Sequence, residues 1–226
     1  GNITHDEALN IIIKHIEQHG AQTITAIGHR VVHGGNIFNQ ATVINQQNLH
    51  QLLPLNSLAP LHNPTSSAVI SRCLQQWQHI PNIAVFDTAF HTSIPEHIAC
   101  YAIDHQLSRK YGIKKYGFHG ISHDYITQRY AETHQKPAPN LIIAHLGNGA
   151  SICAVKAGKS IDISMGFTPL SGLIMGTRCG DIDPGLLQFI MNKLDIDLPT
   201  MIHQLNKESG MLGLSGASYD MRIIEK

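Results

Sequence analysis

The chain has no excess of either charge: its 226 residues carry 16 Lys plus Arg against 16 Asp plus Glu. That balance offers no electrostatic footprint to nucleic acid or to an anionic membrane, so neither is expected as a partner and any basic residue used in binding acts locally. Cysteines are few. Cys73, Cys100, Cys153 and Cys179 are scattered with no C-x-x-C pair, which argues against a zinc knuckle or a disulfide framework and fits a reducing compartment. No apolar run approaches membrane-spanning length, and no charged segment followed by an apolar stretch opens the chain, so a cytoplasmic setting is expected. The P-loop, the dinucleotide fingerprint and H-E-x-x-H are all missing. So are internal repeats, low-complexity tracts and obvious linkers.

What is present is periodic and 42% apolar, enough for one large domain or two small ones with a buried core. Thr4-His5-Asp6-Glu7 has the form of a capping box. Leu9, Ile12, Ile13 and Ile16 follow at helical spacing, and Gly20 sits where a C′ glycine would end the helix. A strand is expected from Thr23 to Val32, with helices over Gln47–Leu53, Ser66–Trp77 and Ser122–Thr133. Ile83–Phe86 (IAVF) reads as a short buried strand ending on Asp87. Leu141–Leu146 and Ile152–Val155 form a strand pair, with Ser160–Ile163 as a third strand. The glycine-rich stretch Gly166–Asp183 reads as loop, and Pro184 suits the first position of a helix reaching about Lys193. Strands alternating with helices indicate an α/β or mixed α+β fold. The chain begins on a helix cap with no strand before it and stops at MRIIEK, which reads as the opening of another helix; an internal portion of a longer protein is expected.

Between the paired strands lies HLGNGAS (145–151). An apolar strand that breaks into Gly-Asn-Gly and resumes is either a plain hairpin turn or a cradle of backbone amides for an anion. Four further sites place a charged or imidazole group at a strand end or amid glycines: Arg30 in AIGHRVVHGG, Asp87 in AVFDTAFH, His119 in KYGFHGISH and Arg178 in MGTRCGDIDP. Strand ends are where open α/β sheets place ligands. Each has a bland reading. Arg30 could face water at a strand edge, Asp87 with Thr88 could cap a turn, and Arg178 could pair with Asp181 or Asp183. His119, one of 16 histidines, could be a satisfied core residue. Together they make a parts list for phosphoryl transfer. A histidine-based metallohydrolase is the weaker rival: His119 and His123 are four apart, but Gly120 disfavours a helix there.

Those strings, with LAPLHNP, LIIAHLGNGAS, the longer SMGFTPLSGLIMGTRCGDIDP and SGMLGLSGASYDMR, resemble the acetate kinase family in the same order across nearly the whole chain. The resemblance implies an actin-like α/β lobe of the acetate and sugar kinase, heat-shock ATPase and actin superfamily, a mixed sheet with flanking helices, incomplete here. It implies that residues 1–140 form the substrate-side part of the N-terminal lobe and continue across the interlobe crossing. Residues 141–226 would start the C-terminal nucleotide lobe. The implied reaction is reversible transfer of the ATP γ-phosphoryl to acetate, giving acetyl phosphate and ADP with Mg²⁺, in an enzyme that is a homodimer when complete. By the same resemblance Asp87, His119 and Arg178 are catalytic and Arg30 binds the substrate. Val32, Leu61, Phe118 and Pro169 fall on the pocket for the substrate methyl group, with His62 near it, and His145, Leu146, Gly147, Asn148 and Gly149 match the ATP-phosphate loop. No metal ligand is assigned within these residues.

Elementary chemistry agrees with most of this. Acceptor and donor are both anions, so fixed arginines bring them together, and the planar guanidinium holds carboxylate or phosphoryl oxygens bidentately. A carboxylic acid with a pKa of about 4.3 is already ionised at neutral pH and needs no general base. Asp87 is therefore expected to orient Mg²⁺, its water or an arginine. Val32 leaves room for a methyl group, so acetate is expected ahead of propionate. The family's opening Asn-Ala-Gly-Ser-Ser-Ser motif, its C-terminal adenine-binding glycines and its Mg²⁺-binding glutamate are not among these residues, and the isolated stretch is expected to be inactive. A propionate or butyrate kinase, and a non-catalytic module on the same fold, are the alternatives.

Overall fold

The computed structural model describes residues 3–19 and 24–225. Its contacts separate into two compact units, Gly1–Ala89 and Phe90–Lys226. The division falls inside residues 1–140, the stretch read above as one lobe with its crossing.

The first unit opens on helix α1 (His5–His19). Its predicted capping box is formed: Thr4 N donates to Glu7 Oε2 at 2.7 Å and Glu7 N donates to Thr4 Oγ1 at 3.2 Å. Of the expected apolar stripe only Ile13 is buried, and Ile12 remains 53% exposed. The expected C′ glycine, Gly20, and Thr23, the expected start of the first strand, lie outside the described residues. Strand β1 is shorter than predicted, Ile27–Val31. It pairs in parallel with β3 (Asn82–Phe86), whose other edge takes β2 (Thr42–Ile44) antiparallel. Parallel neighbours need a crossover, supplied by α2 (Gln46–Leu52), a 3-10 turn (Leu53–Ser57) and α3 (Asn63–Gln76). Helix α3 starts three residues before the predicted Ser66, because Pro64 in its first turn suits a helix start rather than blocking one. Val31, Ile44, Leu52, Ile70, Ala84 and Phe86 close the core, with Phe38 stacked on Phe86 at 4.8 Å.

The second unit contains α4 (Glu96–Ala99), α5 (His105–Tyr111) and α6 (Gly120–His134). An antiparallel meander follows: β4 (Leu141–Leu146), β5 (Ala150–Lys156) and β6 (Lys159–Ile163). Residues 164–183 are irregular, as their glycines and polar end suggest. Pro184 opens α7 (Pro184–Leu194), with the Asp183 carboxylate accepting from Gly185 N. Helices α8 (Leu198–Lys207), α9 (Gly210–Ser215) and α10 (Met221–Ile224) complete the described chain, the last being the helix anticipated in MRIIEK. Gly120 does not prevent a helix, contrary to the sequence expectation. It is the first residue of α6, where glycine's interior penalty is small. Among the described residues no helix is long and apolar enough to cross a membrane.

Candidate active site

In the first unit the sheet register brings two of the predicted residues together. Arg30 pairs with Val85 across the parallel ladder, and Asp87 lies two residues further along, on the same face. Asp87 N still donates to Val31 O at 3.0 Å, so the ladder extends to the acid and fixes its backbone. The side chains then meet as fork and carboxylate: Arg30 Nε donates to Asp87 Oδ1 at 3.0 Å and Nη2 donates to Oδ2 at 2.7 Å. The pair is asymmetric, the carboxylate side chain being 3% exposed and the arginine 62%. The hydrogen bonds that Arg30 donates to Asp87 hold the guanidinium's pKa above its ordinary value, against an opposing effect of burial. Arg30 does face water, as its bland reading supposed, yet it is also clamped from behind. Both Asp87 oxygens are taken by Arg30, and the neighbouring Thr88 Oγ1 accepts from Gly34 N at 3.0 Å.

Around this pair the segment after β1 is stitched to α3. His33 N donates to Asn63 Oδ1 at 3.1 Å, and Asn63 Nδ2 donates back to His33 O at 2.9 Å. His33 Nδ1 accepts from Gly35 N at 2.9 Å. Val32 is half-buried beside this clamp. Leu61 is 64% exposed, and His62 stands exposed at the N-cap of α3 without a side-chain cap bond. The Asn63 clamp was not found from sequence; the Asn-Pro of LAPLHNP was its sole trace.

In the second unit the predicted residues converge on the β4–β5 turn. Gly147, Asn148 and Gly149 connect the strands, so HLGNGAS is a hairpin turn. Gly147 N is consumed within it, donating to Gly149 O at 3.0 Å. Asn148 and Gly149 amides have no hydrogen-bond partner among the described residues. Asn148 O accepts from Gly176 N at 3.0 Å and ties the turn to the 164–183 loop. Gly149 lies outside the left-handed region, so its missing side chain answers to space: a Cβ there would stand 3.2 Å from His119 Nε2 and 3.5 Å from Arg178 Nη1. Three predicted groups thus share one point.

Arg178 is half-buried and, among the described residues, lacks the carboxylate partner its bland reading required. Asp181 Oδ1 accepts from Gly172 N at 2.7 Å, and Asp183 is the α7 cap. The guanidinium donates instead to Pro169 O at 3.1 Å, and burial lowers its pKa, though an arginine stays charged. A partly desolvated cation beside unpaired backbone amides calls for an anion.

His119 is the N-cap residue of α6 with φ 59°, a left-handed conformation that costs a non-glycine residue about 1–2 kcal/mol. Its Nδ1 lies 2.9 Å from Ser151 Oγ, and its ring stacks on His145 with centroids 4.2 Å apart. His145 Nδ1 lies 3.0 Å from Ser122 Oγ. Phe118 is buried, while Leu146 and Asn148 are exposed. Behind this layer sit His91, which sequence reasoning passed over, and His123, which it weighed only as a metal ligand. His91 bridges Ser160 Oγ at 2.9 Å and Phe118 O at 3.0 Å, and His123 Nε2 lies 2.9 Å from Ser151 Oγ. Burial pushes both imidazoles down to about 4, so both are neutral near pH 7.

A family model described as the Acetokinase family matches residues 2–226. The acetate kinase of Staphylococcus haemolyticus is 48% identical over 227 residues, covering 98% of this chain and 57% of that protein. A crystal structure of a propionate kinase from Francisella tularensis subsp. tularensis superposes with a TM-score of 0.94 at 44% identity, over 99% of this chain and 58% of the other. That of Porphyromonas gingivalis acetate kinase gives 0.90 at 39% identity, over 98% and 58%. The chain therefore spans a little over half the length of the relatives it matches.

Proposed function

The chain belongs to the acetokinase family, and from that premise we propose that it is part of an enzyme transferring the γ-phosphoryl of ATP to acetate. One observation carries the reading: Arg178, a partly buried cation with no carboxylate partner among the described residues, stands with His119 against the glycine turn at Gly149. In this reading the turn's amides and Arg178 hold phosphate oxygens. His119 donates to an equatorial oxygen as charge spreads in the transition state. Arg30 takes the acceptor carboxylate, and Asp87 aims Arg30 rather than abstracting a proton. The family resemblance gives Val32, Leu61, Phe118 and Pro169 the role of receiving the substrate methyl group, and His62 a place near it. His145 and Leu146 lead into the phosphate turn of Gly147, Asn148 and Gly149.

The reading calls for Mg²⁺ with the nucleotide. It characteristically takes one or two carboxylates together with waters and phosphate oxygens, and the described residues contain no cluster of three ligating groups. Asp87, each of whose oxygens accepts one hydrogen bond from Arg30, would hold a metal-bound water. When bound, Mg²⁺ supplies charge neutralisation on the phosphates. A cytoplasmic homodimer, with residues 1–140 and 141–226 belonging to successive lobes, is the setting we propose for the complete protein.

The full-length protein with ATP, Mg²⁺ and acetate is expected to yield acetyl phosphate, trapped as acetyl hydroxamate. Arg178→Ala is expected to lower kcat by about 10²–10³. ATP binding without product from acetate, propionate or butyrate overturns the kinase reading and leaves a non-catalytic module. Propionate is the second reading, favoured by the likeness to the Francisella protein; comparing kcat/KM for the two acids decides between them.

A further inference from the structure

We propose that Ser151 is a positioning residue which, with His123 behind it, fixes His119 as the tautomer that carries its proton on Nε2, facing the anion turn. The catalytic consequence rests on the kinase reading above; the hydrogen-bond chemistry does not.

Ser151 is fully buried on β5, directly opposite His145. Its Oγ lies 2.9 Å from His119 Nδ1 and 2.9 Å from His123 Nε2. A hydroxyl has one proton, so it donates to one ring and accepts from the other. The direction is settled at the far end of the chain. His123 Nδ1 is buried and has no partner among the described residues. Were Ser151 to donate to His123 Nε2, a neutral His123 would carry its proton on Nδ1, leaving a buried N–H with nothing to bind. Orphaned buried N–H groups are rarer than orphaned acceptors. His123 therefore donates from Nε2 to Ser151 Oγ, Ser151 donates to His119 Nδ1, and the His119 proton is left on Nε2. That nitrogen is the one a Cβ on Gly149 would approach to 3.2 Å. The opposite tautomer would aim a lone pair at the phosphate.

His91 anchors the arrangement from the backbone. A neutral imidazole has one N–H, and its Nε2 donates to Phe118 O, the carbonyl immediately before His119.

The test is ¹⁵N NMR of histidine-labelled full-length protein at neutral pH, with His119 assigned by loss of its signals in His119→Asn. We expect an Nε2–H ring in the wild type and a mixture of tautomers in Ser151→Ala. In that variant kcat is expected to fall roughly tenfold or more while both KM values hold within about twofold, since the outer partner acts through the ring rather than on substrate. Ser151→Thr, which keeps the hydroxyl, restores the wild-type ring signals. An Nδ1–H ring in an active kinase overturns the proposal alone and needs no variant to fold. An Nε2–H ring that Ser151→Ala leaves unchanged also overturns it. An Nε2–H ring that becomes mixed in Ser151→Ala, in a protein that makes no acetyl phosphate, sustains the proposal and overturns the kinase reading instead.

Discussion

Arg30 offers Asp87 its Nε and one Nη together, and the buried acid answers with both oxygens, so neither group rotates without breaking two bonds. An acid so engaged is a good fixture. If the proposed carboxylate substrate binds Arg30, it arrives ionised and the pair has no proton to move.

Asp87→Asn is accordingly expected to release Arg30 and lower kcat/KM for acetate by about 10²–10³. Stability should change little, because Arg30 is largely exposed and exposed ion pairs contribute about 0–1 kcal/mol. Asp87→Glu keeps the charge and misplaces the fork, so it should recover little. Steady-state kinetics beside thermal melts separate the effects; near-normal transfer by Asp87→Asn would falsify the orienting role.

Gly149→Ala introduces a Cβ at 3.2 Å from His119 Nε2 and 3.5 Å from Arg178 Nη1 without straining the backbone. Displacing the His119 ring by a few tenths of an ångström should reduce kcat by about tenfold or more, as small misplacements do. Stability is expected to stay within about 1 kcal/mol. A variant with unchanged kcat shows that the turn and the imidazole do not act together.

Gly117→Ala is the contrasting case. Its φ is +72°, and a Cβ would lie 2.6 Å from Ile163 Cγ2 and 2.9 Å from the His91 ring. Overpacking of that kind costs about 1–3 kcal/mol, which urea denaturation should read as a lower midpoint with an unchanged slope.

His91 and His123 are held near 4 by burial, below the ordinary histidine value of 6.5. The unfolded chain therefore binds protons that the folded chain refuses between pH 6.5 and about 4. Their contribution to stability is complete above pH 6.5 and is lost as pH falls through that window. Urea midpoints between pH 7 and 5, above the range where ordinary carboxylates titrate, should decline, and His91→Asn should flatten the decline. A midpoint independent of pH there contradicts the neutral burial of these rings.

The elements legible in the sequence were those with long-range apolar runs or strong punctuation: IAVF ending on Asp87, the hairpin around Gly147–Gly149, and α7 behind Asp183-Pro184. Strand β2 has three residues, too few for alternation to register. The α1 stripe identified a helix but not what covers it, and Ile12 stays largely exposed. Single site residues were visible because each interrupted an apolar or glycine-rich context. Their partners were not. Arg30 and Asp87 are 57 residues apart, and Ser151, the hydroxyl between two imidazoles, reads in sequence as an ordinary strand serine. Among 16 histidines, nothing local distinguished His91 from those at the surface, and the spacing that singled out His123 pointed to a metal rather than to Ser151.

The hairpin that carries the glycine turn at its tip also carries Ser151 one residue beyond the Leu146–Ala150 pair. Turn and imidazole support are thus mounted on a single lever. Any shift of that hairpin carries Gly149 and the Ser151 hydroxyl together, whereas the His119 ring between them is mounted on α6.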